Sequence, residues 1–117
     1  MEPSQDSDRA VIASLAENGA DLTKPAHIVH YLYFKSIAAA EAAATELKAA
    51  GYRIKRVGKA PVTSLWQRLF GPASFSCIAE TNIAPSEENV SAASDFMNGL
   101  ASKHGGEYDG WESSVER

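Results

Sequence analysis

The histidines are the first residues in this sequence that suggest chemistry. His27 and His30 lie three residues apart in a short stretch of β-branched and aromatic residues, which predicts a strand. On a strand this spacing puts the two imidazoles on opposite faces, so they cannot chelate one metal ion together. His30 alternates with apolar residues, and this pattern favours a buried, hydrogen-bonded histidine. His104 falls in the last turn of a predicted helix, where a cation is favoured, so we expect it to cap that helix.

The only thiol, that of Cys77, is expected to be structural. A single cysteine excludes an internal disulfide framework and a zinc-finger cluster. Cys77 falls on the apolar face of a predicted strand, where a free cysteine usually acts as a small hydrophobe. No base or orienting group stands near it in the sequence, so nucleophilic catalysis is not indicated.

A group of carboxylates near the end of the chain is the remaining chemical feature. Glu107, Asp109 and Glu112 are close together, and two of them on one strand face would suit a hard cation. A solvated strand edge is the alternative that we favour, because charged side chains are mostly exposed. The sequence has no glycine-rich loop of the kind that cradles phosphates. We therefore predict no catalytic residue, no metal, no cofactor and no enzymatic activity.

Composition and charge narrow the class of protein. The 117 residues suit a single domain. A net charge of −4 excludes a protein held to nucleic acid by its bulk charge. No apolar run approaches the ~20 residues that span a bilayer, and the polar, acidic N-terminus does not resemble a signal peptide. We expect a protein of the cytoplasm with no membrane segment.

The elements that position these residues follow from the apolar periodicity. Residues 1–7 are predicted to form a flexible tail, and residues 8–117 a single domain. Asp6, Ser7 or Asp8 is expected to cap a first helix. Runs of period two and of period 3.6 then predict strands and helices in the order β-α-β-β-α-β. The predicted strands are at about 27–34, 52–57, 75–81 and 107–112, and the predicted helices are at about 37–50 and 86–104.

This order is the split βαβ pattern of ferredoxin-like folds. We therefore predict an α+β sandwich with an extra N-terminal helix, in which two helices cover one face of a four-stranded antiparallel sheet. The other face then meets either solvent or a partner.

The helix-free face and the loop beside it are predicted to carry a partner surface. Residues 53–68 contain five basic and no acidic residues, which is typical either of a solvated strand edge or of a patch for an acidic partner or RNA. Leu65, Trp66, Leu69 and Phe70 lie in and just after the end of this segment, and they either pack on the sheet or form a partner or dimer contact. We define the basic-aromatic surface as Tyr31, Tyr33, Arg53, Lys55, Arg56, Trp66, Arg68 and Phe70.

Two further function classes stay open on these observations. Aromatic and basic side chains on an open sheet are how RNA-recognition modules stack bases, although the sequence signature of that module is missing. A small enzyme on a dimeric α+β scaffold is the third hypothesis, and it requires an enclosed polar pocket.

Three stretches resemble the RraB-type ribonuclease E inhibitors, the regulator of ribonuclease E activity B family. They are NGADLTKPAHIVHYLYF at 18–34, Gly51-Tyr52 after an alanine-rich helix, and GEYDGWE at 106–112. The most specific is the YDGW motif, which consists of Tyr108, Asp109, Gly110 and Trp111. The basic segment 53–68 departs from the family pattern, and so does the absence here of the long acidic tail that follows this motif in well-known members.

The resemblance implies a compact α/β sandwich and a non-enzymatic protein that binds ribonuclease E and restrains its cleavage of RNA. In the family this involves the noncatalytic scaffold of the nuclease and its RNA-degrading assembly. For the motif itself we expect a structural role, with Gly110 at a bulge or a close approach and Trp111 in the core. A contact role for Trp111 is the alternative.

Overall fold

The computed structural model describes the backbone of residues 3–59 and 75–115, with side chains from Asp8 onward. Within these ranges, three helices and four strands follow one another. They are α1 (Pro3–Glu17), β1 (Ala26–Phe34), α2 (Ile37–Ala49), β2 (Arg53–Lys59), β3 (Phe75–Ile83), α3 (Glu87–Lys103) and β4 (Glu107–Ser113).

The strands form one sheet in the order β2-β3-β1-β4, and every neighbouring pair is antiparallel. This confirms the predicted mixed α/β architecture with a four-stranded antiparallel sheet. β1 lies between β3 and β4 and pairs with both strands, so side chains of all three strands lie close to one another. β4 begins close to β1 at Gly106, where an added Cβ would lie 2.3 Å from the carbonyl oxygen of Tyr33.

Local sequence explains where the second and third helices begin. The hydroxyl of Ser36 accepts a hydrogen bond from the backbone N–H of Ala39, and that of Ser86 accepts one from Asn89. Both serines are therefore N-caps, a position at which serine is strongly preferred.

The first helix begins earlier than the predicted capping residues. α1 starts at Pro3, so Asp8 lies inside the helix rather than at its N-cap. Its carboxylate is turned into the protein, where it has a different partner. The flexibility predicted for residues 1–7 stays a prediction.

Two apolar clusters hold the layers together. The larger one joins α2 and α3 to one face of β1 and β3, and its members include Leu32, Phe34, Leu47, Cys77 and Met97. The face of β3 predicted to be apolar is thus confirmed. The smaller cluster joins α1 to the sheet and to α3 through Leu15, Ile28, Val90 and Trp111. Within the described part of the chain, no helix has the length and apolar character needed to cross a membrane.

Both edge strands contain a bulge that interrupts strict alternation. On β2 the register with β3 shifts between Ile54 and Arg56, and on β4 the register with β1 passes from Gly110 to Tyr108. Lys55 and Asp109 are the extra residues. A bulge re-aims the side chains beside it, so simple period two does not place these two residues correctly.

Candidate functional site

Trp111, the last residue of the YDGW motif, is hydrogen-bonded to Asp8, which lies near the other end of the chain. Its indole Nε1–H donates to Asp8 Oδ1 at 2.8 Å, across a separation of 103 residues. Trp111 is only 9% exposed, and its ring belongs to the smaller apolar cluster. The expected core position of Trp111 is therefore what the structure has.

Asp8 has an unusual environment for a carboxylate. The residue is 5% exposed, and within the described residues its second oxygen, Oδ2, has no hydrogen-bond partner. The neighbouring Arg9 pairs with Glu87 at 3.2 Å. A buried carboxylate with one of its two oxygens unsatisfied is costly, because a charge taken out of water needs compensating donors.

His30 and Tyr108 form a second polar pair beneath the motif. His30 Nδ1 and the Tyr108 hydroxyl share a hydrogen bond of 2.8 Å. His30 is 1% exposed, and its burial lowers the pKa of the imidazole to about 4. Burial also raises the pKa of the Tyr108 hydroxyl. The prediction of a buried, hydrogen-bonded His30 is confirmed, and both groups are neutral at physiological pH.

Gly110 explains the shape of the motif. Its φ is +120°, in the region that favours glycine, and it lies at the register shift opposite Tyr31. No atom lies within 4 Å of a Cβ added there, so conformation and not a close approach requires the glycine. The bulge leaves Asp109 exposed, between Tyr108 and the glycine. Partial desolvation raises the pKa of the Asp109 carboxyl above its ordinary value.

These residues surround a cavity of about 230 Å³. Its walls include both carboxylates, Asp8 and Asp109, together with the aromatic side chains of Tyr108 and Trp111. Asn98 of α3 also lines it, and the amide nitrogen of Asn98 donates to the Ser94 carbonyl at 2.9 Å. We call this the YDGW cavity. Asp109 and Asp8 both line it, whereas the sequence groups Asp109 only with Glu107 and Glu112.

The helix-free face has a different character. Tyr31 donates from its hydroxyl to Glu112 Oε1 at 2.5 Å, and this bond raises the pKa of Tyr31 to about 12. Tyr33 lies on the same face and is 8% exposed. Base stacking needs accessible aromatic faces, and phosphates avoid carboxylates. This geometry gives no support to the RNA-binding alternative.

Glu80 neutralises part of the basic segment. Its carboxylate receives Arg53 Nε at 3.3 Å and contacts His27 Nε2 at 3.0 Å. The hydrogen bond with His27, and then the one with Arg53, lowers the pKa of the Glu80 carboxyl. Although residues 53–68 contain no acid, the neighbouring strand supplies one, because Arg53 lies directly opposite Glu80 in the register.

The remaining cations of β2 are exposed. Arg56 lies opposite Ile78, and its guanidinium donates to the Lys59 carbonyl at 3.3 Å. Lys55 lines a second cavity, of about 310 Å³, beside His27 and Glu112. The remaining members of the basic-aromatic surface, Trp66, Arg68 and Phe70, lie outside the described residues, as do Leu65 and Leu69.

The other candidate groups are structural. Cys77 is fully buried, and burial raises the pKa of its thiol to about 11, so it is not a thiolate at neutral pH. His104 is the C-cap of α3 as predicted, and its Nε2 also contacts Glu46 Oε2 of α2 at 2.5 Å. Within the described ranges, no three His, Cys, Asp or Glu residues are grouped so as to hold a metal ion.

Comparison with known proteins agrees with this geometry. The family model for RraB, described as regulator of ribonuclease activity B, matches residues 5–113. The chain belongs to the RraB family. The RraB match covers α1 as well as β4, so it includes both ends of the bond between Asp8 and Trp111. No curated protein gives a significant match.

RraB proteins are described as regulators and not as catalysts, and this fits the burial of Cys77 and His30. Sequence reasoning missed Asp8 and Asn98 as neighbours of the family motif. Asp8 was interpreted as a cap because a polar residue before an apolar stripe usually is one. The available signal was a buried tryptophan, whose N–H needs an acceptor somewhere in the fold.

Proposed function

We propose that this protein binds ribonuclease E, or the RNA-degrading assembly built on it, and modulates the cleavage of RNA in the cytoplasm. The observation that carries the proposal is membership of the RraB family over residues 5–113. The proposal assigns no chemistry to the protein itself. The buried thiol of Cys77 and the buried imidazole of His30 support a regulator that acts through contact.

We also infer that the sheet has the ferredoxin-like arrangement. The order β2-β3-β1-β4, with all pairs antiparallel and with α2 and α3 as crossovers, supports this inference. In such a fold one sheet face lacks helices, which leaves a broad surface for a partner.

The surface that we assign to ribonuclease E is the basic-aromatic surface. Lys55 and Arg56 supply exposed positive charge at the bulge of β2, and Tyr31 supplies a partly exposed ring on β1, on the other side of β3. Aromatic residues and arginine are enriched in protein interfaces. Complementary charge steers association and selects among partners. An acidic segment of the nuclease is therefore the expected counterpart.

Retention on immobilised full-length ribonuclease E tests the function. We expect the purified protein to be retained at moderate salt and to change the rate at which the nuclease cleaves an RNA substrate. Absence of retention, with the nuclease active, would overturn the proposed function. A gel shift with single-stranded RNA alone should show no salt-sensitive binding.

A charge reversal tests the surface separately. The double variant Lys55→Glu/Arg56→Glu should bind the nuclease about tenfold or more weakly, because rim charges that steer association are reversed. The matched control is Lys24→Glu/Lys48→Glu, which makes the same change in net charge at exposed positions outside β2, in the loop before β1 and on α2. Equal binding by both double variants would remove the basic-aromatic surface from the proposal and leave the function in place.

A further inference from the structure

The strand β2 has a partner strand on one side only. In the sheet order β2-β3-β1-β4 it pairs with β3, and no other strand of the described ranges lies beyond it. Apart from that ladder, the backbone of Arg53–Lys59 makes no hydrogen bond to the backbone of another described residue. A row of N–H and C=O groups without a backbone partner is a template on which a second extended chain can pair.

The apolar layer between the helices and the sheet is incomplete at β2. On the inner strands Leu32, Cys77 and Ala79 are each 0% exposed. Ile54 and Val57 pack on the same apolar cluster from β2, but they are only partly buried. Their register partners are Ala79 and Cys77, so all of these side chains share the helix-covered face. Apolar area is therefore left at this edge, and covering it would favour association.

The opposite face of β2 carries positive charge. Arg53 and Arg56 have their register partners on the helix-free face of β3, and Lys55 at the bulge lines the cavity on that face. Arg53 is paired with Glu80 at 3.3 Å. Among the described residues no carboxylate pairs with Lys55 or Arg56. Like charges on facing strands repel, whereas opposite charges attract, so this edge discourages a basic strand and favours an acidic one.

We propose that β2 binds an extended segment of a protein partner as a fifth strand of the sheet, and that acidic and apolar residues alternate along this segment. Successive side chains of a strand point to opposite faces. The acidic residues would meet Lys55 and Arg56 on the helix-free face, and the apolar residues would cover Val57 on the other. Regular pairing of β2 continues from Arg56 to Lys59, so the added strand would pair there.

This inference deepens the proposed function, because it names the part of the basic-aromatic surface that a partner uses and the manner of binding. It rests on the proposed function only for the naming of ribonuclease E as that partner. Main-chain hydrogen bonds supply affinity in strand addition, and the alternating side chains supply specificity. A charged patch acting alone requires neither an extended backbone nor alternation.

Titration of the full chain with the peptide acetyl-Glu-Val-Glu-Val-Glu-Val-Glu-amide tests the side-chain pattern. The matched control, acetyl-Glu-Glu-Val-Val-Val-Glu-Glu-amide, has the same composition and charge without the alternation. We expect saturable binding of the first peptide and binding about tenfold or more weaker for the second. Equal affinities would show attraction by charge alone and would overturn the proposal.

Backbone methylation of the alternating peptide tests the main-chain pairing. In an extended peptide the N–H groups of the glutamates point to one side and those of the valines to the other, so only one set can pair with β2. N-methylation of that set should weaken binding by about tenfold or more, and N-methylation of the other set should leave it nearly unchanged. Equal effects of the two methylated peptides would contradict strand addition.

Hydrogen exchange locates the added strand, with the other edge of the sheet as the internal control. The alternating peptide should slow exchange of alternate amides in β2 and leave those of β4 unchanged, because β4 carries Glu107, Asp109 and Glu112. Protection of β4, or of neither edge, would refute the assignment. Sedimentation of the protein alone tests a second copy as the occupant, since a basic edge and an acidic edge could pair. Self-association that the peptide abolishes would replace the partner segment with that second copy.

These results are separable from the test of the proposed function. Binding of the peptide at β2 by a protein that is not retained on ribonuclease E would keep strand addition and reject the nuclease as partner. Retention on the nuclease with no added protection of β2 amides, by peptide or by nuclease, would keep the function and reject strand addition.

Discussion

Trp111 and Tyr31 make the same kind of hydrogen bond on opposite faces of one pair of strands. Trp111 of β4 donates to Asp8 at 2.8 Å, and Tyr31 of β1 donates to Glu112 at 2.5 Å. The first bond is buried and joins residues 103 positions apart, whereas the second is exposed and joins two neighbouring strands. Burial raises the cost of losing a partner. The first bond therefore belongs to the stability of the fold, and the second to a surface free to change.

Removing the buried aromatic should have the largest effect. Trp111→Ala deletes a ring from the smaller apolar cluster and leaves Asp8 without its donor, so the free energy of unfolding should fall by ~3–5 kcal/mol. Urea unfolding followed by circular dichroism measures it. An unchanged unfolding curve together with lost binding to the nuclease would instead make Trp111 a contact residue.

Low pH should have the second-largest effect, because protonation of the buried His30 lowers the free energy of unfolding. The neutral form of His30 is favoured in the folded state, where its pKa is about 4 against 6.5 in a model compound. The stabilisation is complete above pH 6.5 and is lost as the pH falls from 6.5 towards 4. The difference corresponds to roughly 3 kcal/mol.

The measurement is the free energy of unfolding as a function of pH for matched histidine variants. His30→Gln should remove this component of the pH dependence, whereas His27→Gln, on the opposite face of the same strand, should retain it. The same acid sensitivity in His30→Gln as in the parent protein would show that other groups cause it.

Glycines on the two edge strands should respond differently to an added methyl group. Gly110→Ala places a non-glycine residue at φ +120°, which costs about 1–3 kcal/mol in backbone strain even though no atom blocks the Cβ. Gly58→Ala on β2 is the control, because Gly58 has an ordinary φ and equally open space. Thermal unfolding compares them, and equal losses at the two positions would refute the requirement for a left-handed backbone.

The exposed bond should matter least for stability. Tyr31→Phe removes the hydroxyl that donates to Glu112, and because both partners can bond water instead, we expect a loss below about 1 kcal/mol. Urea unfolding checks this, with Trp111→Phe as the matched loss of the buried donor. A loss from Tyr31→Phe as large as that from Trp111→Phe would erase the distinction between the two faces.

Local signals in the sequence predicted most of the elements but only part of the site. The burial of His30 and of Cys77 is predicted correctly, because it depends on alternation with neighbours within a few residues. The prediction of Asp8 as a helix cap is wrong, because its partner, Trp111, lies at the far end of the chain. The bulge at Asp109 is not predicted, because the period-two pattern of a strand does not show where an extra residue is inserted.

The pairing of Arg53 with Glu80 shows a similar gap. A run of basic residues without acids predicted a strongly positive edge, yet the register of β2 on β3 brings a carboxylate directly opposite. Cross-strand partners depend on register, which turns, bulges and the buried face set together. For this reason the charge of a surface is read less reliably from a sequence than the polarity of its core.

The contact between Asp8 and Trp111 also has a consequence during synthesis on the ribosome. The first helix emerges early, but the strand that carries its tryptophan partner is made some 100 residues later. Contacts between distant residues form late, because a long loop must close first. The apolar stripe of α1 packs chiefly against α3 and also against β4, so its full set of partners exists only when nearly the whole domain has been made. Docking of the first helix is then among the last steps of folding.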